Sequence, residues 1–266
     1  MIDIFQYDFM QRAFFAGVII SVIAPLIGIF LVVKRYSLIA DTLSHVSLLG
    51  VAGSILLKIN PIFGALIVSV LASFGMENLR GTKKLLGESV LALFLSGSLA
   101  IALILIGFAC GLNVNFFSYP FGSIITVTVE DLKLMLVFGL IVLGMIFVNY
   151  RQLFLISFDE EVAKAAGLLV KIYNLILIIL AAITVSLAMR VVGVLLVGAL
   201  MVIPVLSAMQ YRLSFLKTQI LAVVFSLIAV IVGLYSSFYI NLPSGGTIVV
   251  VTLVFFIMSF LTNRSK

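Results

Sequence analysis

The sequence has a single histidine, a single cysteine and no tryptophan, and charged residues make up only 10% of its 266 positions. The lone cysteine, Cys110, excludes a disulfide bond within the chain. One histidine and one cysteine are also too few for a structural zinc site or for a Cys–His catalytic pair. Charge this sparse does not form a nucleic-acid-binding surface, so we attribute the formal net charge of +6 to lysines and arginines in loops.

Signature motifs of common enzymes are absent as well. The stretch GTKKLLG, which begins at Gly81, does not fit the GxxxxGK(S/T) phosphate loop. The sequence contains no HExxH, CxxC or GxSxG motif either. We therefore expect no catalytic activity and no permanently bound cofactor.

Long apolar runs dominate the sequence instead. Hydrophobic residues make up 64% of the chain, and the mean hydropathy is +1.38. Runs close to the ~20 residues that cross a bilayer as a helix follow one another, and they predict an all-α, polytopic transmembrane bundle that forms one domain over residues 1–266. The pattern predicts about nine spans, within a range of roughly eight to ten. The expected spans are residues 11–33, 37–57, 61–79, 86–110, 132–150, 171–189, 192–211, 217–239 and 245–262.

The topology follows from one helix break and from the distribution of positive charge. Read as one helix, the sixth and seventh spans would have about 40 residues and be roughly 60 Å long, against a hydrocarbon core of ~30 Å, so we expect a break between Arg190 and Gly193. Twelve of the 16 lysines and arginines then fall on one side. By the positive-inside rule this side is cytoplasmic, which predicts an external N-terminus and a cytoplasmic C-terminus. The twelve are Lys34, Arg35, Arg80, Lys83, Lys84, Arg151, Lys164, Lys171, Arg212, Lys217, Arg264 and Lys266, and the other four are Arg12, Lys58, Lys133 and Arg190.

Asp41 and His45 are titratable residues within the apolar stretch 37–57, and His45 is the only histidine in the chain. Their i, i+4 spacing places both side chains on one face of a helix. Ionisable groups at membrane depth are costly and usually line a pathway or a site. A carboxylate and an imidazole are reasonable ligands for a divalent metal ion. The alternative is a structural ion pair that fastens this helix to a neighbour.

One chain supplies only two such ligands from this helix. Two copies that face each other across a dimer axis would supply four, which is enough for a tetrahedral ion. A site with few ligands also suits a conduit, where binding must be weak enough to allow release.

A second pattern, FDEEVAKAAGL, lies in a predicted cytoplasmic loop at residues 158–168. Acidic residues open a short helix there, and small residues with a glycine follow at its end. A small, smooth helix face suits docking into a groove of another protein. The alternative is a solvated loop. The residues concerned are Asp159, Glu160, Glu161, Ala165, Ala166 and Gly167.

Five segments in order resemble signatures of the permease subunits of bacterial zinc/manganese/iron ABC importers, and the resemblance covers essentially the whole chain. Asp41 and His45 stand in DTLSH, which is followed by Gly50 and is similar to the family's D-x-L-S-H…G signature. The other four segments are YPFGSI with Phe121-Gly122, the stretch 190–208, NLPSGGTIVVV at 241–251, and the loop 158–168. The departures from the family's patterns are Pro120 for a leucine, Asn241 for an aspartate and Val205-Leu206 for an alanine pair.

The resemblance implies the membrane-spanning subunit of an ABC importer for a divalent transition metal, with zinc or manganese favoured over iron. It implies a transient metal site at Asp41 and His45, a cytoplasmic ATPase subunit docked on 158–168, and an extracytoplasmic metal-binding protein. It also implies a multi-pass protein of the bacterial plasma membrane that pairs as a homodimer or with a related permease. The alternative from another class is a proton-coupled secondary transporter in which Asp41 and His45 relay protons.

Overall fold

The structure is a computed structural model that describes residues 6–81, 87–108, 120, 122 and 126–263. These residues form eleven α-helices and contain no β-strand, which confirms the all-α fold. The helices are α1 (Asp8–Val33), α2 (Leu38–Leu57), α3 (Pro61–Arg80), α4 (Gly87–Phe108), α5 (Val129–Val148), α6 (Tyr150–Phe158), α7 (Glu160–Ala165), α8 (Val170–Ala188), α9 (Val197–Met209), α10 (Phe215–Ile240) and α11 (Ser244–Asn263).

Eight of these helices are long and apolar enough to cross a membrane, namely α1 to α5, α8, α10 and α11. The break expected between Arg190 and Gly193 is present, because α8 ends at Ala188 and residues 189–196 form turns. The seventh expected span, 192–211, is shorter than the sequence suggests. Its helix α9 begins only at Val197, and its 13 residues extend ~20 Å, less than the hydrocarbon core.

Local sequence sets several of the helix ends. The side chain of Asn60 accepts a hydrogen bond from the amide of Ile62 at 2.9 Å, and Pro61 occupies the first position of α3, where its missing N–H costs nothing. Thr128 and Asp131 form a reciprocal capping box at the start of α5. Because of this capping box, the first turn of α5 includes polar residues. α5 therefore begins at Val129, three residues before the expected span 132–150.

Contacts between connecting segments assign them to two ends of the bundle. At one end, which we call the basic end, Lys34 pairs with Glu160 at 2.7 Å, and Arg35 and Arg212 line one pocket. The turns after α1, α6 and α9 therefore lie together. At the opposite end, Arg190 Nε lies 3.6 Å from Asp131 Oδ2. Residues 189–196 with α9 thus carry the chain from one end to the other, although α9 alone is too short to do so.

The helix that carries Asp41 and His45 is held from several sides. α2 packs against α3, α4, α8 and α9, while α1 packs against α5, α8, α9 and α10. The hydroxyl of Ser47 in α2 lies 2.8 Å from that of Ser69 in α3 and 3.1 Å from that of Ser186 in α8. These buried hydroxyls satisfy one another inside the apolar core and tie α2 to both neighbours.

Candidate functional site

Asp41 and His45 lie one turn apart near the start of α2, and both are half-buried. Leu49, one turn further on, is half-buried as well, whereas Leu43 and Ser47 on other faces are buried. The i, i+4 spacing therefore places the two titratable side chains on the narrow, partly open face of an otherwise packed helix.

The imidazole of His45 has an unused ring nitrogen. Its Nδ1 is buried and has no hydrogen-bond partner in the part of the chain that the structure describes. Leaving a buried polar atom unpaired costs about 1–3 kcal/mol, so we expect a group other than the described residues to satisfy it. The neighbouring Ser44 is not directed at the site, because its hydroxyl donates to the backbone oxygen of Asp41 at 2.7 Å within the helix.

The carboxylate of Asp41 lies directly against the first turn of α9. A methyl group added at Gly198, the second residue of α9, would overlap with Oδ1 of Asp41. Glycine is therefore required at position 198 for the carboxylate to come this close to the backbone. The start of a helix carries partial positive charge, which favours a carboxylate at this position.

α9 also has a partly exposed row of apolar residues. Ala199, Val202 and Leu206 are half-buried, while Leu200 and Met201 between them are buried. The two helices in contact at the site, α2 and α9, thus each keep one face incompletely covered.

The described residues contain no cluster of three or more His, Cys, Asp or Glu side chains that could hold a metal ion. If Asp41 and His45 bind a metal ion, the described part of one chain supplies only these two ligands. A carboxylate oxygen and an imidazole nitrogen suit manganese and zinc alike.

The segment 158–168 contains a short helix with well-defined ends. Asp159 is the N-cap of α7, and its Oδ1 accepts hydrogen bonds from the amides of Glu161 and Val162 at 2.9 and 3.1 Å. At the other end, Gly167 adopts φ +81° just after the cap residue Ala166, which ends the helix in the left-handed conformation that glycine favours.

The acidic residues of this segment have different roles. Glu160 points toward the bundle and pairs with Lys34, whereas Glu161 makes an exposed pair with Lys164 at 2.8 Å that raises the pKa of Lys164. Ala165 and Ala166 are exposed together with Val162 and Gly167, and Ala163 between them is buried against the bundle. α7 thus presents a small apolar surface outward, while Asp159 and Glu160 shape and anchor it.

Pro120, the stretch 190–208 and the segment 241–251 meet around residues 189–196. This meeting point lies at the end of the bundle opposite the basic end. The amide of Leu195 donates to the backbone oxygen of Pro120 at 3.2 Å, and the hydroxyl of Ser244 donates to the backbone oxygen of Val191 at 2.9 Å. Since Pro120 makes this hydrogen bond through its backbone oxygen, the bond does not require leucine at this position. Gly245 approaches the oxygen of Val192 so closely that a methyl group there would overlap with it.

Sequence reasoning missed two features of the site. Gly198 stands within a continuous apolar run, where nothing marks it as the neighbour of Asp41. Lys34 and Asn174 are polar residues at the ends of apolar helices, and this position is the only sequence signal for the contacts that they make with Glu160.

Comparison with known proteins identifies the family. The ABC 3 transport family matches residues 6–263. The chain is 34% identical over 249 residues to the "Probable metal transport system membrane protein" of Treponema pallidum (strain Nichols), covering 94% of this chain and 93% of that protein. It is 32% identical over 255 residues to the manganese import system permease protein ScaB of Streptococcus parasanguinis, covering 96% of this chain and 91% of that protein.

The fold comparison agrees with the sequence comparison. The chain is similar to a structure of PsaBC from Streptococcus pneumoniae in complex with Fab, with a TM-score of 0.87 and 30% sequence identity over 97% of this chain and 92% of that one. The resemblance to ABC importer permeases is confirmed, and the protein is a multi-pass permease of the plasma membrane. The chain belongs to the ABC 3 transport family.

Proposed function

We propose that the whole chain, residues 1–266, acts as one transmembrane domain of an ABC importer that takes up a divalent transition metal, and that the metal is manganese. Asp41 and His45 bind the ion transiently during transport. The name of the ScaB relative supports manganese, and the carboxylate–imidazole pair accepts it, although zinc is held by the same donor atoms.

One observation carries this proposal. Asp41 and His45 lie on the partly open face of α2, with Nδ1 of His45 buried and unpaired among the described residues. A structural ion pair would join Asp41 or His45 to a charged group on a neighbouring helix, but the ion pairs in the described part of the chain are made by other residues. The side-chain hydrogen bonds of α2 to α3 and α8 are made by Ser47. A transported ion, together with ligands from a second copy of the chain across the open face, would complete the coordination.

The proposal includes three kinds of partner. A cytoplasmic ATPase subunit docks on the exposed surface of α7 and supplies the energy, an extracytoplasmic metal-binding protein delivers the ion, and a second copy of this chain faces the first. The small apolar surface of Val162, Ala165 and Ala166 supports the first of these, since such a surface fits a groove without charged groups to desolvate.

The test replaces the two ligands and measures uptake of manganese and zinc in cells. We expect Asp41→Asn and His45→Ala each to abolish uptake while leaving membrane insertion unchanged. Ser44→Ala is the matched control, because its hydroxyl is bound within the helix, and uptake should stay within twofold of the unaltered chain. Near-normal uptake by an inserted Asp41→Asn/His45→Ala double variant would remove the metal-site assignment.

A second measurement separates this proposal from proton-coupled transport. Uptake should stop when the phosphate-loop lysine of the partner ATPase is replaced. Uptake that survives that replacement but collapses with the proton gradient would favour Asp41 and His45 as a proton relay instead.

A further inference from the structure

Lys34 is the C-cap residue of α1, and its ammonium group is buried at the basic end. Only 4% of its side chain is exposed. Burying an ammonium group is costly unless its charge is paired and its donors are used. Burial accordingly lowers the pKa of Lys34 and outweighs the opposing hydrogen bond to Glu160.

The three N–H donors of Lys34 reach acceptors on three different helices. Nζ donates to Oε1 of Glu160 in α7 at 2.7 Å, to the backbone oxygen of Ile156 in α6 at 3.3 Å, and to Oδ1 of Asn174 in α8. One side chain at the end of α1 therefore holds three later helices together.

Asn174 closes this arrangement into a ring. Its Nδ2 donates to the same Oε1 of Glu160 at 3.2 Å. Partial burial raises the pKa of the Glu160 carboxyl, but the hydrogen bonds from Lys34 and Asn174 and the charge of Lys34 lower it further, so it lies below its ordinary value. Glu160 is the first residue of α7, so the proposed docking helix is attached to the bundle through a charged group whose Oε1 is bonded to both Lys34 and Asn174.

The turn that follows Lys34 is tight. Arg35 and Tyr36 donate backbone hydrogen bonds to Val32 at 3.0 Å and Leu31 at 2.7 Å, which are the two bonds of a Schellman motif with Arg35 at φ 60°. α2 begins two residues after Tyr36. A short turn with both bonds made has little freedom to absorb a displacement of Lys34 without moving the start of α2.

We propose that Lys34 is a positioning residue that couples α7 to α2, so that a displacement of α7 by the ATPase moves the helix that carries Asp41 and His45. This inference rests on the proposed function, since it takes α7 as the docking site. The Lys34–Glu160 pair is the mechanical link, and Asn174 fixes its geometry. Nothing in this role requires Lys34 to contact the metal.

The first test measures metal ions transported per ATP hydrolysed. The complete complex, with the ATPase and the metal-binding protein, is reconstituted in vesicles and supplied with Mn²⁺. Lys34→Met should lower this ratio roughly tenfold, within the range typical of coupling between sites, while ATPase co-purification and basal hydrolysis stay within about twofold. Lys171→Met is the matched control, because Lys171 lies at the same end but makes an exposed hydrogen bond to Asn78, and its ratio should not change.

A double variant tests whether Lys34 and Glu160 act as one unit. Glu160→Gln alone should lower the same ratio, and Lys34→Met/Glu160→Gln should fall no further than Lys34→Met. If Lys34→Met fails to reach the membrane, the transport ratio can still be measured with Glu160→Gln. The amide oxygen of the introduced glutamine still accepts a hydrogen bond from the buried Lys34. Additive losses, or transport that falls only in step with ATPase binding, would overturn the inference.

The second test observes movement directly and needs no metal. A spin label is attached at Leu38→Cys, an exposed position at the start of α2, in a chain with Cys110→Ser. ATP should change the spectrum in the otherwise unaltered complex and also with Asp41→Asn, the variant that we expect to abolish uptake. With Lys34→Met the ATP-dependent change should disappear.

The outcomes separate this inference from the proposed function. If the ATPase co-purifies and the Lys34→Met label responds to ATP as the unaltered one does, the coupling role of Lys34 is overturned and the proposed function stands. If no ATPase co-purifies with the unaltered chain, the proposed function and the inference both fail. If Asp41→Asn transports normally while Lys34→Met blocks the movement, only the metal-site assignment fails.

Discussion

At the scale of single residues, the position of Asp41 depends on the absence of a side chain at residue 198. A glycine within a helix costs about 1 kcal/mol relative to alanine, so Gly198 weakens α9 locally. The gain is that the carboxylate of Asp41 lies against the backbone at the start of α9, where helix polarity favours negative charge. The geometry of the proposed site therefore depends on α9 as well as on α2.

We expect Gly198→Ala to disrupt this geometry without removing a ligand. Its methyl group would overlap with Oδ1 of Asp41, and relieving an overpacked contact costs about 1–3 kcal/mol. Where that cost falls on the metal-binding geometry, uptake should fall by about 5- to 150-fold. The control is Gly144→Ala, where an added methyl group meets nothing within 4 Å. Uptake by Gly198→Ala equal to that of the control, at equal membrane levels, would show that the contact is unimportant.

The Glu160 carboxylate gives a pH dependence with a definite sign. Its pKa is lowered in the folded chain, so its contribution to the attachment of α7 is complete above the ordinary glutamate pKa and is lost as the pH falls through the lower folded value. Hydrogen exchange of the α7 amides, corrected for intrinsic rates, should show constant protection from neutral pH down to about 4.5, the ordinary range for glutamate. Loss of protection beginning near pH 6 would contradict this assignment.

At the scale of helices, hydropathy predicts the long elements well because each is a single apolar run bounded by polar residues. α2 and α3 begin and end within one residue of the expected spans 37–57 and 61–79. The break at Arg190–Gly193 follows from helix length, whereas hydropathy starts the next span at residue 192, five residues before α9, because most of residues 189–196 are as apolar as that helix. Their turns are fixed by distant contacts, such as the hydroxyl of Ser244 on the Val191 oxygen, which hydropathy does not contain.

The proposed docking segment, residues 158–168, is also predicted only in part by the sequence. Its acidic start and its glycine end predict a helix at residues 158–168, and α7 lies there. The sequence does not distinguish the inward Glu160 from the outward Glu161, because the direction of each side chain depends on where Lys34 lies in the folded bundle. The metal-ligand candidates follow from their rarity in an apolar sequence, whereas their contact with Gly198 requires the packing of α2 on α9.

Adding charge to the exposed surface of α7 should prevent the ATPase from docking. In an Ala165→Glu/Ala166→Glu variant, two carboxylates would be buried in the partner's groove without paired charges, so we expect the ATPase no longer to co-purify. Lys164→Ala is the control on the same helix, because the exposed pair that it breaks contributes little. Normal co-purification with the double variant would show that the ATPase binds elsewhere.

At the scale of the whole molecule, the two ends of the bundle differ in chemistry. The basic end holds Lys34 and Glu160, and the same end includes Arg35 and Arg212 around one pocket. The opposite end contains Arg190 beside the buried Asp131. The structure fixes which segments share an end, and the excess of lysine and arginine predicts that the basic end faces the cytoplasm.

Labelling of single cysteines tests this orientation and the passage through α9 together. With Cys110→Ser as the background, Leu57→Cys and Leu242→Cys should react with a membrane-impermeant thiol reagent on intact cells. Both are exposed, Leu57 is the last residue of α2 and Leu242 follows α10, and these two helices end opposite the basic end. Leu213→Cys should react only after the membrane is opened, because Leu213 lines the same pocket as Arg35. Reaction of Leu213→Cys on intact cells together with Leu242→Cys would mean that residues 189–196 and α9 do not carry the chain across. Reaction of Leu213→Cys on intact cells while Leu57→Cys and Leu242→Cys are protected would instead reverse the predicted external N-terminus and cytoplasmic C-terminus, and the positive-inside argument would fail for this chain.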